Sequence, residues 1–425
     1  MRGRKSAVVC AMAAATAAAY CMGAFEFLKE RDEYAYLGMN EIYETYAQKV
    51  GKSVTAENGD VVTVDQVVMD RTFCTIFYSV RFREPVVTQE ELERLQAERR
   101  DDGFQTIAYM PGFYLYSGEE EISQEGYNNS FEPQAYLADT HTVYGAWRFL
   151  LRRPLTDGET VQLRGGDYER DDNGGWKLVW EFSLDFTARP IQSERFDSDV
   201  TFTAMIQGQD VQVDVISLER SPLGALLTLC REKVEGHDAF GADFVLRDGD
   251  SGTYIPFSEV WVNHHWDPEG YCVDIYELFG DVSMLKNLEL IPTCDAGPAS
   301  PRKTVAVDEL PCEDPGNPDG GYVPISYTAE GGQIMIEMKP VGATNNSFSR
   351  IINALTPHLM DAEGNDLFDD VRVERYKDRS DGAITVVMTP SAESYVRDAD
   401  KVTQFWFFVQ RYDVLEGQTV HIPLE

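Results

Sequence analysis

The chain has 425 residues, enough for about two to four ordinary domains, and its hydrophobic and aromatic fractions of 43% and 12% suit packed cores and exclude wholesale disorder. Its 72 acidic residues against 37 basic give a formal charge of −35, which opposes binding to DNA, RNA or anionic lipid, whose phosphates require Lys and Arg. Cationic partners and divalent ions stay open.

Met1–Lys5 is basic, and Ala7–Phe25 comes next as 19 residues without a charge. As a helix this run reaches about 28 Å, near the hydrocarbon thickness of a bilayer. Arg2, Arg4 and Lys5 before it, with Glu26 and Glu30 after it, orient a membrane anchor with the body outside the cell. The run is alanine-rich, so a cleaved signal peptide is the rival reading, with Ala14-Ala15-Thr16 and Ala17-Ala18-Ala19 as cleavage windows. Residues 26–51 alternate charged and aromatic residues. Leu37, Met39, Ile42, Tyr43 and Tyr46 approximate one helical face, which predicts a stalk helix ended by Gly51 and packed on the first β unit.

The body is organised by a strand pattern that occurs three times. Cys74, Ile76, Tyr78, Val80 and Phe82 share one face of the first copy. Val211, Val213 and Val215 do so in the second, and Ile334, Ile336 and Met338 in the third. Alternation at period two is what a strand with one buried face requires. Short strands after polar turns also recur, at 157–163, 286–290 and 416–424, and read as the closing strands of the copies. The chain therefore divides into β units at 52–190, 191–300 and 301–425, the last two separated by Pro/Gly-rich sequence around 298–321. Within the first unit, Thr88 and Glu91 form a capping box at the head of a helix inserted at 88–100. Trp176, Leu178, Trp180, Phe182, Leu184 and Phe186 alternate as the core strand of a β-sandwich.

Few residues carry a chemical signature. Cys74 alternates with core residues and reads as a buried thiol rather than a nucleophile. If the body is exported, disulfides are permitted, and the pairs to expect are Cys294 with Cys312 and Cys230 with Cys272. His264 and His265 are neighbours on a strand-like run, so they face opposite sides and do not jointly hold a metal. Acidic turns at 171–173, 248–250 and 361–366 lack the spacing of an EF-hand and read as ordinary turns. No Gly-x-Ser-x-Gly or phosphate-cradling loop occurs. The expectation is a protein without catalytic residues, metal or cofactor. Tyr114, Tyr116, Tyr127 and Tyr136 are the aromatics able to form a peptide or glycan platform, or else to pack at edges and loops.

The run Asn58–Thr72 (NGDVVTVDQVVMDRT), within about residues 50–84, resembles an uncharacterised extracellular domain family of Gram-positive bacteria. In that family a transmembrane segment and a helix precede a Gly-turn and a V-T-V-D-x-V-x-x-D-x-T strand. Gly175–Trp180 resembles its domain-closing strand, and Ser221-Pro222-Leu223-Gly224 the opening of the immunoglobulin-like domain that comes after it. The resemblance implies an all-β chain of tandem immunoglobulin-like β-sandwich units, with a membrane or signal helix in front and a short inserted helix. Many members are sigma-factor regulators with an intracellular anti-sigma region. Only six residues precede the apolar run here, and no His-x-x-x-Cys-x-x-Cys motif occurs, so the expectation is a sensing or interaction ectodomain without the sigma-binding part. Its expected partners are an envelope protein, a peptide or a glycan, and the bilayer through residues 7–25, with no nucleic acid. An adhesin or carbohydrate-binding module is the alternative.

Overall fold

The computed structural model describes residues 23–29, 41–97, 112–123, 135–170, 176–206, 208–235, 243–260, 267–295, 302–330, 333–344, 357–367, 371–378, 381–390, 401–409 and 412–424. Nearly all of this is antiparallel β-structure, as the period-two pattern predicts. The chain divides into two compact units, the first ending at Gln192 and the second beginning at Ser193.

The first unit holds helices α1 (Ala24–Lys29), α2 (Glu41–Tyr46) and α3 (Gln89–Ala97). Its strands are β1 (Gln48–Thr55), β2 (Val61–Met69), β3 (Phe73–Arg81), β4 (Gly112–Ser117), β5 (Glu120–Glu121), β6 (Ala135–Leu137), β7 (Thr142–Leu150), β8 (Thr160–Arg170) and β9 (Trp176–Thr187). One sheet runs β1-β2-β3-β7-β6 and the other β5-β4-β8-β9. Both sheets contribute to one core, in which Phe113 of β4 stands edge-on to Tyr78 of β3 at 4.7 Å and to Phe182 of β9 at 5.9 Å. Cys74, Ile76, Tyr78, Val80 and Phe82 all enter this core, on the face the sequence assigns them. The opposite face of β3 is covered too, because Phe25 of α1 and Tyr43 of α2 pack against Phe77.

Residues 7–22 of the apolar run lie outside the described residues, whereas Ala24 and Phe25 at its end are buried on this sheet. No helix among the described residues is long and apolar enough to cross a membrane. The helix read across 26–51 is corrected at its end: α2 stops at Tyr46, and β1 starts at Gln48 and pairs with β2. Gly51, expected to end a helix, sits at φ +58° in a register irregularity between Lys49 and Lys52. Ladder pairing with β2 outweighs the helical periodicity there. The capping position is as read, since the Glu91 amide donates to Thr88 Oγ1 at 3.1 Å at the head of α3.

The second unit contains β10 (Glu194–Asp197), β11 (Thr201–Ile206), β12 (Gln209–Ser221), β13 (Gly224–Glu232), β14 (Phe244–Asp248), β15 (Tyr254–Ile255), β16 (Phe257–Val260), β17 (Tyr271–Leu278) and β18 (Asn287–Asp295). It continues with β19 (Arg302–Ala306), β20 (Gly320–Glu330), β21 (Gln333–Gly342), β22 (His358–Met360), β23 (Val371–Lys377), β24 (Ile384–Pro390), β25 (Gln404–Phe408), β26 (Tyr412–Val414) and β27 (Val420–Pro423). These strands build two further apolar cores, one around Val213, Leu227 and Leu290 and the other around Ile336, Val386 and Phe405.

The three cores repeat one topology. A long hairpin opens each: β2-β3, β12-β13 and β20-β21. A later hairpin (β6-β7, β16-β17, β23-β24) adds its second strand beside the first. Strands between and after these hairpins form the facing sheet, as β4 with β8, β14 with β18, and β22 with β25. The opening hairpin carries one extra residue each time, Asp65, Ile216 and Ile325. The bulge shifts the buried face by one residue, from Val62 and Val64 to Val67 and Met69, and from Val213 and Val215 to Leu218.

The closing strands break this regularity. In the first repeat β9 follows β8 and pairs with it. In the second unit β19 follows β18 yet pairs with β25 of the third repeat, whereas β26 and β27, which come after β25, pair back with β18. The second and third repeats thus exchange closing strands. The two closing strands read from sequence at 286–290 and 416–424 are partners, with Leu288 opposite Ile422. A small core of Val245, Ile291, Ala343 and Tyr412 joins the same two repeats.

Candidate functional site

The exchange opens a groove in the second repeat. The closing edge of β18 is covered in two pieces, β27 opposite residues 287–290 and β26 opposite 293–295, with an excursion at 415–419 between them. Beside the excursion lies a groove of about 550 Å³ lined by β11 and β12 on one side, by Pro292, Thr293 and Cys294 of β18 at its base, and by Leu415, Gln418 and Val420 on the other side. β11 is a sheet edge: among the described residues it pairs with β12 alone. Its backbone register follows from the Val215 amide, which donates to Val200 O at 2.8 Å. Bonded positions recur every second residue in an antiparallel ladder. Phe202, Ala204 and Ile206 therefore turn their peptide groups toward β12, and Thr201, Thr203 and Met205 turn theirs toward the open edge.

The corresponding edge of the first repeat, β1, also pairs with β2 alone among the described residues, but its side chains reach the closing strand β9, which is 12 residues long with one extra residue, Val179, against β8. Lys52 Nζ of β1 donates to Asp185 O of β9 at 2.7 Å, and the Gln48 side-chain amide donates to Arg189 O. The groove residues escape sequence reasoning because Thr-Phe-Thr-Ala-Met-Ile reads as an ordinary half-buried strand. The available signal is a negative one, a strand at an edge with no charge, no proline and no bulge.

Tyr114 and Tyr116 do share the outward face of β4, while Phe113 and Leu115 point into the core. The Arg164 guanidinium of β8 lies 4.0 Å over the Tyr116 ring and donates to Gly118 O, and Gln162 beside it donates to Asp185 Oδ1 at 2.8 Å. The face is an aromatic pair set among hydrogen-bonding groups, and Arg164 covers the Tyr116 ring. Tyr127 lies outside the described residues, and of Tyr136 the structure gives the backbone on β6, opposite Tyr144. Another aromatic cluster, missed from sequence, sits on β25. The Trp406 ring stacks on His358 at 3.8 Å and has the Arg302 guanidinium 4.1 Å from its centroid. Two groups that close to one centroid occupy its two faces, so Trp406 offers no open face to a ligand.

Each of the five described cysteines keeps its thiol, and neither pairing expected from the sequence is formed. For Cys230 and Cys272 the reason is register: Cys230 stands opposite Val273 and Cys272 opposite Arg231, so their side chains leave opposite faces of the sheet. Cys294 sits on β18 opposite Asp413 and lines the groove, whereas Cys312 Sγ contacts Asp314 O at 3.4 Å. Cys74 is wholly buried, and burial, with Asp70 adding to it, pushes its thiol well up, away from the thiolate a nucleophile needs.

At the end of the second core Arg231 Nε donates to Asp274 Oδ2 at 2.7 Å, with both side chains essentially inaccessible. Burial opposes the guanidinium charge, and Asp274 outweighs it, so Arg231 is held above its ordinary value. In the turns at 248–250 and 361–366 the first carboxylate bonds within the turn itself. Asp248 accepts from the Asp250 amide and Ser251 Oγ, and Asp361 from the amides of Glu363 and Asn365. The turn at 171–173 and the pair His264 and His265 lie outside the described residues.

No family model matches this sequence, and no curated protein does. Among solved structures, the conserved domain protein from Bacillus anthracis is similar over 62% of this chain and 83% of that one, with 14% identity and a TM-score of 0.38. A similarity of that size carries no argument about function.

Proposed function

We propose that this chain is a recognition protein of the cell envelope, non-catalytic, built from tandem immunoglobulin-like β-sandwich repeats and held at or released from the membrane through residues 7–25. The observation that carries the reading is the groove beside β11: a mixed polar and apolar cleft of about 550 Å³ against an open strand edge, a shape suited to holding an extended ligand. In this role it serves as the sensing or interaction ectodomain of an anti-sigma-like envelope system. The −35 charge keeps such a body solvated and turns away nucleic acid and anionic lipid.

Cell fractionation with the mature N-terminus read by mass spectrometry tests it. An N-terminus at Met1 or Arg2 in the membrane fraction supports a tethered sensor, and cleavage between Ala15 and Ala19 supports a released or wall-associated form. An intact chain confined to the cytosol rejects the envelope reading.

A second reading, a surface adhesin or carbohydrate-binding module, draws on the outward face of Tyr114, Tyr116, Arg164 and Gln162. Glycan-array binding lost on Tyr114→Ala supports it, and an array without signal removes it.

A further inference from the structure

We propose that the groove takes a cationic, extended polypeptide segment, which adds to β11 as a further strand; this rests on the recognition reading above. Three observations point there. First, β11 has none of the devices that protect sheet edges. Thr-Phe-Thr-Ala-Met-Ile carries no charge and no proline, and its register against β12 is unbroken from Thr201 to Ile206. Neighbouring β10 is Glu-Arg-Phe-Asp, and the edge strand β19 starts Arg-Lys. An uncharged six-residue edge in a chain this rich in charge is built to be paired.

Second, the first repeat treats the same edge differently. There two side chains of β1 span the gap, Lys52 to Asp185 O of β9 and Gln48 to Arg189 O just beyond it. In the second repeat the exchanged strand β27 is four residues long and the excursion at 415–419 leaves the rim open. The outward peptide groups of Thr201, Thr203 and Met205 supply the hydrogen bonds an incoming strand needs, and β11 is long enough for a partner strand of about five or six residues.

Third, the lining fixes the partner's chemistry. Among its side chains Asp210 is the charged one and none is basic. Asp210 stands opposite Met205, and Gln212 opposite Thr203, on the solvent face of the sheet, so a Lys or Arg on that face of an added strand reaches across Met205 toward the Asp210 carboxylate, two strand spacings or about 10 Å away. The added strand's other side meets Phe202, Pro292 and Leu415. The preferred segment therefore alternates apolar residues facing the groove with Lys or Arg facing outward.

The test uses the purified full chain and blocked heptapeptides: one alternating Val and Lys, one alternating Val and Glu, and one with the Lys pattern kept but the central Val replaced by Pro. Binding is read by fluorescence anisotropy of labelled peptide, and in parallel by the alkylation rate of Cys294, resolved by peptide mass spectrometry. The Val/Lys peptide is expected to bind and to slow Cys294 alkylation by about tenfold, with the other two weaker by about tenfold or more. Met205→Lys, at a residue 46% exposed, is expected to abolish binding without moving the melting temperature. Asp210→Lys is expected to transfer the preference to the Val/Glu peptide. Equal binding of the proline-broken peptide, or binding untouched by Met205→Lys, means general attraction to a polyanion and overturns the proposal, as does no binding at all. Because these measurements use purified protein, their failure leaves the fractionation result standing, and a cytosolic chain that binds the peptide separates the two readings in the opposite sense.

Discussion

Leu288 and Ile422 stand directly opposite each other on β18 and β27, both buried, so β27 completes the sheet of the second repeat rather than that of the third. Ile422 and Leu424 belong to the same apolar core as Val213 and Leu290. Removing the Ile422 side chain therefore damages a core most of whose members, Phe202 to Leu290, lie far away in sequence. Ile422→Ala is expected to cost about 2–5 kcal/mol in urea or guanidinium unfolding. Limited proteolysis of that variant is expected to release fragments from the 193–295 region along with the C-terminus. Protection of that region in the variant would contradict the exchange.

The Arg231–Asp274 pair tests how the end of the second core is held. Asp274→Ala strips a buried guanidinium of its carboxylate and is expected to cost about 3–5 kcal/mol. The double variant Arg231→Met with Asp274→Leu is expected to recover most of this loss, since apolar residues of similar size forgo the desolvation of both charges. A double variant as unstable as the single one would show that the pair contributes more than mutual neutralisation.

In the first unit Glu159 accepts from Arg153 at 2.7 Å and from the amide and hydroxyl of Thr156 at 3.0 Å. The hydrogen bond from Arg153, with those from Ser117 and Thr156 outweighing burial, lowers its carboxyl from 4.5 to about 2. A depressed carboxylate contributes stability in full above its unfolded value and loses it as pH falls. The contribution is therefore complete at neutral pH and fades between pH 4.5 and about 2. Glu159→Gln is expected to cost about 1–2 kcal/mol at pH 7, discounted for the partial exposure of Arg153, and to equal the parent near pH 2. Denaturation curves at pH 7, 4 and 2 check this, and a difference that grows toward low pH would reverse the sign.

Gly382 is at φ +74°, and a Cβ there would lie 2.5 Å from Pro256 Cβ, across the contact between the second and third repeats. Gly364 has a similar φ of +81° with nothing within 4 Å of its Cβ. Both alanine variants carry the backbone cost of about 1 kcal/mol, and Gly382→Ala adds about 1–3 kcal/mol of overpacking. Thermal unfolding of the two variants separates the terms; equal losses would mean that the Pro256 contact yields freely.

The strand faces were legible in the sequence because burial on one side of a pleated strand leaves a period-two trace in the residues themselves. Cys74 through Phe82, Val211 through Val215 and Ile334 through Met338 each show it and each enter a core. The Thr88 cap was legible for the same local reason. The helix expected through Gly51 was misread because its last residues join a ladder with β2 that no local periodicity records. Of the groove, Cys294 stood out as a candidate for a disulfide rather than for a binding cleft and the β11 residues did not stand out, whereas Tyr114 and Tyr116 stood out and do share an outward face. What sequence alone determined is which side of each strand is buried. Which strand lies beside which was decided only in three dimensions, because every strand edge offers the same N–H and C=O groups. The exchange of β19 and β27, and the open edge of β11 that goes with it, depend on long-range packing around Tyr412 and Ile422.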